Sequence, residues 1–68
     1  MRNDLIEASR KHFEAHIEKH RMNVEVILSN PTAIHGHVDV MDAIEKELAE
    51  MADYADKLEM LTTYFKVS

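Results

Sequence analysis

The sequence predicts an all-α protein, an antiparallel two-helix hairpin with helices over about residues 3–29 and 39–66, assembling into a homo-oligomeric helical bundle. Three observations lead there. The single glycine and the single proline of the 68 residues both fall in SNPTAIHGHVD, and neither flank contains a helix breaker. On each flank apolar residues recur at alternating intervals of three and four, the period of a helix stripe. Finally, 68 residues make one domain (1–68) too small to bury much core alone, and a chain without cysteine has no disulfide framework to compensate.

The elements follow from local chemistry. Asn3 or Asp4 is placed to cap the first helix, and Glu7 suits the positive end of its dipole. Pro31 disfavours helical geometry at Asn30, so this helix should stop near Ser29. Within the connection, Gly36 supplies a positive φ for the turn, and His35 and His37 read as loop residues. Asp39 is the expected N-cap of the second helix, with Asp42 at its third position and its end near Lys66. Each helix should be about 40 Å long at ~1.5 Å per residue.

The stripes predict the packing. On the second helix Met41, Ile44, Leu48, Met51, Ala55, Leu58, Thr62 and Phe65 form a heptad seam. On the first, the same spacing gives Ile6, Ser9, Phe13, His16, His20, Asn23 and Ile27, apolar at the ends and polar in the middle, flanked by Ile17, Val24 and Leu28. A short connection makes the helices antiparallel. Aligning Ile27 with Ile44 then places His20 beside Met51 and Glu47, His16 beside Ala55 and Tyr54, and Phe13 beside Leu58.

A two-helix hairpin has no inside, and ordering it costs more conformational entropy than one seam recovers. Further apolar stripes are present: Ala8, Ala15, Met22 and Val26 on the first helix, and Ala49, Met60, Tyr64 and Val67 on the second. Helices with two apolar sides touch more than one neighbour. The expectation is at least a dimer, with Phe13, Met22, Met51, Leu58, Met60 and Tyr64 contributing to the oligomer interface.

Charge narrows the function classes. A formal net charge of −5 argues against binding nucleic-acid polymers, which requires a basic surface. The one apolar run, VEVIL, is too short to span a bilayer, and MRNDLIEASRKH has no apolar signal core. A soluble cytoplasmic protein is expected. Residues 1–30 hold five Lys or Arg and five acids, whereas residues 39–68 hold three and eight, so the two halves attract.

The chemistry-bearing stretch is HFEAHIEKH, which stacks His12, His16 and His20 along one side of the first helix. Three readings compete. A metal site could use two of these imidazoles with Glu47 and Glu50, but no Glu precedes a His by three residues, as the inward Glu-x-x-His pairs of di-iron bundles require. No metal or other cofactor is assigned. An anionic small molecule could instead be held by Ser9, His12, His16, Lys19, His20 and Asn23, with Lys11, Arg10 and Arg21 adding charge. Tyr54 or Tyr64 would stack a base. The third reading is a satisfied polar layer in which the histidines bond to Glu47, Tyr54 or a second copy and fix register. The sequence favours this last reading. Ser9 and His12 share a helix face, but nothing completes a nucleophile–base–orienter arrangement, so no enzyme is expected.

The stretch NPTAIHGHVDVMDAIEKELAEMADYADKLEMLTTYF resembles small helical proteins of unestablished activity encoded by tailed phages of marine cyanobacteria. The resemblance rests on Asn30-Pro31, His37, the helix start from Asp39 to Leu48, Tyr54, Asp56-Lys57-Leu58-Glu59 and Tyr64-Phe65. It implies an infected bacterial cytoplasm as the setting. There, small phage proteins bind host factors, sequester nucleotide immune signals or assist virion assembly. The expectation is a non-catalytic interaction module that binds a host or virion component. The alternative is a protein that sequesters an anionic small molecule, such as a cyclic nucleotide.

Overall fold

A computed structural model describes residues 1–30 and 39–68. These form two helices, α1 (Arg2–Ser29, 28 residues) and α2 (Val40–Tyr64, 25 residues), packed against each other as a hairpin with no strand among the described residues. The expectations for His35, Gly36 and His37 fall outside the described residues.

The helix ends are set by identifiable groups. α1 begins at Arg2, with Met1 at the cap position, two residues before Asn3 and three before Asp4, and the Met1 carbonyl accepts the Leu5 N–H at 3.0 Å. Asn3 does not cap because its side chain is engaged elsewhere. Its Nδ2 donates to the Ser68 carbonyl at 2.9 Å, and its Oδ1 accepts the Ser68 N–H at 3.1 Å. Arg2 Nη1 donates to the Lys66 carbonyl at 2.9 Å. The same clasp explains why α2 stops at Tyr64 rather than Lys66. Phe65 leaves helical geometry (φ −128°, ψ 74°), and the residues after it run to the start of α1. At the other end α1 stops at Ser29, as Pro31 requires, with Asn30 at φ −149°, ψ 70°. Asp39 occupies the N-cap position of α2 without a side-chain capping bond, and Asp42 is third in the helix.

On α1 the inward row is the one the spacing predicts: Ile6, Ser9, Phe13, His16, His20, Asn23 and Ile27 are all half-buried, with Ile17 and Val24 beside them. Leu28 is exposed. On α2 the predicted seam is corrected. Ile44, Met51 and Leu58 face α1, but their companions are Val40, Ala43, Glu47, Tyr54 and Leu61. Met41, Leu48, Ala55, Thr62 and Phe65 are exposed, Met41 at 81% and Leu48 at 50%. The cause is polar matching. Rotating α2 to present Glu47 and Tyr54 gives His20 and Asn23 a hydrogen-bond acceptor and lays a ring against His16, where Leu48 and Ala55 would do neither.

The result is a rod of 50 × 15 × 13 Å with a radius of gyration of 15.4 Å, where a compact chain of this length would have about 11 Å. No described side chain is fully buried. Among the described residues no helix is long and apolar enough to cross a membrane.

Candidate functional site

The polar middle of the hairpin is a layer of rings. His12, His16 and His20 lie one turn apart on α1. The His12 and His16 centroids are 4.4 Å apart, edge to face, and those of His16 and His20 are 6.5 Å apart. Tyr54 of α2 closes the layer: it stacks on His16 at 4.6 Å with an interplanar angle of 18° and lies parallel to His20 at 6.2 Å. Phe13 borders it at 6.2 Å, and Lys57 places its Nζ 5.0 Å from the Tyr54 centroid.

Glu47 anchors the lower end. Its Oε2 is 2.8 Å from His20 Nδ1, and its Oε1 accepts from Asn23 Nδ2 at 2.7 Å. One carboxylate on α2 therefore holds two side chains from successive turns of α1. The side chains of His20 and Glu47 are 11% and 21% exposed, so this contact is only partly open to competition from water. The His20 hydrogen bond holds the Glu47 carboxyl below its usual range, and the Asn23 bond adds to this against the opposing effect of burial. Glu50 lies at the rim, 3.9 Å from His20 Nε2. His16 contrasts with His20: its Nδ1 is buried without a hydrogen-bond partner among the described residues.

The residues proposed from sequence to bind a ligand separate into groups. His12, His16, His20, Asn23 and Tyr54 do come together, but mainly on one another and on Glu47. Ser9 instead lines a shallow apolar hollow with Met1, Leu5, Ile6, Leu61 and Phe65. Lys19 is exposed beside the layer and acts on it through its charge. Arg10 and Arg21 do not join the histidines. Arg10 is taken by Glu7 and Glu14 at 2.7 and 2.8 Å, and Arg21 by Glu18, all along the other side of α1. Of the residues assigned to an oligomer interface, Phe13, Met51 and Leu58 are half-buried, whereas Met22, Met60 and Tyr64 are exposed. Lys57 was missed as a member of the layer, and its spacing of three from Tyr54 was the available signal. Among the described residues no group of three or more His, Asp or Glu is arranged to hold a metal ion.

No family model, curated protein or solved structure matches this chain.

The layer implies a definite pH response. Burial, followed by the nearby charges of His12, Lys19 and His20, pushes the His16 pKa below its ordinary 6.5, with Glu50 opposing. Between the folded and unfolded values the unfolded chain binds more protons. Stability is therefore full above about pH 6.5 and falls as pH drops through the lower folded value. Glu47 acts in the same direction at lower pH, because its depressed carboxyl contributes above the unfolded value and is lost as the group protonates. Melting curves from pH 8 to 5 should show a falling midpoint. His16→Phe, which keeps a ring against Tyr54, should flatten the upper part of that fall; an unchanged slope would remove His16 as its source.

Proposed function

We propose that this protein is a small, non-catalytic helical interaction module that works as a homo-oligomer and binds a host or virion component, in the manner of the phage proteins its sequence resembles. One observation carries the reading: the hairpin packs its helices along a single seam in which no described side chain is fully buried, while large apolar side chains stand exposed on its other sides. Burial at about 25 cal/mol per Å² is what offsets the entropy of ordering a chain, and a rod with one half-covered seam has too little of it. Association with a further chain supplies the rest.

The geometry gives less support to an anion pocket. Glu47, Glu50 and Asp53 border the ring layer, Glu47 engages His20 and Asn23, and Lys57 is held by Asp53 at 2.9 Å. These carboxylates place negative charge around the rings, which opposes an anion there. The histidines and Tyr54 read as a register device instead, matching polar middle to polar middle.

Sedimentation and native mass spectrometry at micromolar concentration should show a dimer or larger species, with a melting temperature that rises with protein concentration. A folded monomer with a concentration-independent transition would overturn the proposal. Cyclic nucleotides and mononucleotides should leave the melting temperature unchanged. A ligand at a thousand times its dissociation constant would raise stability by about 4 kcal/mol and favour the sequestering alternative.

A further inference from the structure

We infer that the outward row of α2 made by Met41, Leu48, Ala55 and Thr62 packs against the same row of a second copy, with the two α2 helices antiparallel. The inference rests on the homo-oligomeric reading above and assigns it a face and an orientation.

The row is defined by its period. Its four members are spaced by seven, and so are Ile44, Met51 and Leu58, three residues further on. Together they are the a and d positions of three heptads, the pattern that keeps a seam facing another helix along its whole length. Within the hairpin only the second set faces α1. The first set was displaced outward when α2 rotated to bring Glu47 and Tyr54 against the histidines, so half of a coiled-coil seam is left uncovered.

The surroundings of the row suit burial. Thr62 shares a hollow with Glu7 and Arg10, whereas Glu50 shares one with His20, so the row lies on the side away from the ring layer. The α1 charges beside Thr62 are paired within α1, Arg10 with Glu7 and Glu14. Covering the row therefore leaves this arginine with its partners.

The area leaves room for a second copy. A globular chain of 7.9 kDa exposes roughly 4,400 Å² by the scaling of surface with mass. This rod exposes 5245 Å² over its whole length, so covering the roughly 800 Å² that one partner contributes to a standard interface would bring it to the globular value.

Side-chain size sets the orientation. An antiparallel pairing places Leu48 against Ala55 of the second copy and Met41 against Thr62, larger against smaller in each layer, with Ala52 beside the twofold axis. A parallel pairing sets Leu48 on Leu48 and leaves Ala55 facing Ala55 across a gap. The antiparallel form also opposes the helix dipoles. It brings Glu45 towards Glu59 of the second copy, so the association should tighten as added salt screens these rim charges.

The absence of cysteine makes the test clean. Under mild oxidation Ala52→Cys should cross-link to itself, shifting most of the protein to twice its mass. Met41→Cys and Thr62→Cys should each stay single-chain alone and cross-link when mixed. Self-cross-linking of Met41→Cys would overturn the antiparallel assignment. A dimer by sedimentation in which none of these variants cross-links would overturn the inference and leave the homo-oligomeric reading standing. A folded monomer by sedimentation would overturn both.

Discussion

Leu58→Asp is expected to abolish the fold, with the helical far-ultraviolet signal lost at a protein concentration where the parent chain is fully helical. Leu58 lies on the inward row of α2 with Met51, Tyr54 and Leu61. Truncating a leucine at such a seam costs roughly 2–5 kcal/mol, and forcing a carboxylate against apolar neighbours adds to that. A chain of this size has only about 3–5 kcal/mol to lose from a single core. Ile44→Asp should behave alike for the same reason. Asp53→Ala is the contrasting case: Asp53 is exposed and pairs with Lys57 one turn away, an interaction in the 0–1 kcal/mol range of surface ion pairs. Circular dichroism at matched concentration separates these outcomes. A helical Leu58→Asp protein would mean that α2 does not pack through this row.

The second large effect belongs to Glu47. Glu47→Ala removes the acceptor for both His20 and Asn23. Leaving a partly buried polar group without its partner costs roughly 1–3 kcal/mol. Two such groups share this carboxylate, but at 21% exposure water reaches part of the site, so about 2 kcal/mol is expected in urea denaturation. Replacing the whole cluster should behave differently. Glu47→Leu combined with His20→Leu and Asn23→Leu removes every polar group at once, and such apolar replacements are often neutral or stabilising. If the cluster serves register, the triple variant should keep its midpoint while gaining alternative associations, seen as a broadened mass distribution. Stability unaffected by Glu47→Ala would instead mean that His20 and Asn23 find equivalent partners in water.

Much of this arrangement was legible in the sequence. One glycine and one proline confined to a single stretch divide the chain into two unbroken helices, and Pro31 sets the end of the first by steric exclusion at Asn30. The inward row of α1 could be read from its spacing, because Ile6, Phe13, His20 and Ile27 recur every seven residues with Ser9, His16 and Asn23 between them. The register could be read as well, since an antiparallel hairpin with a short connection brings residue 20 opposite residue 47 and residue 16 opposite residue 54.

Three things depended on the packed structure. The clasp of Arg2 and Asn3 on the carboxy-terminal residues joins groups 64 and 65 positions apart, which no local pattern encodes. Arg10 and Arg21 went to their own helix's glutamates because these lie one turn away on the same side, nearer than the histidines around the helix. The rotation of α2 was the third. Periodicity identifies which residues share a stripe, and by that measure Leu48 and Ala55 were better seam residues than Glu47 and Tyr54. It cannot say which stripe a partner helix will face, because that is settled by what the partner presents. α1 presents imidazoles and an amide, and α2 meets them with Glu47, which bonds His20 and Asn23, and with Tyr54, which stacks on His16, so Met41, Leu48, Ala55 and Thr62 turn outward.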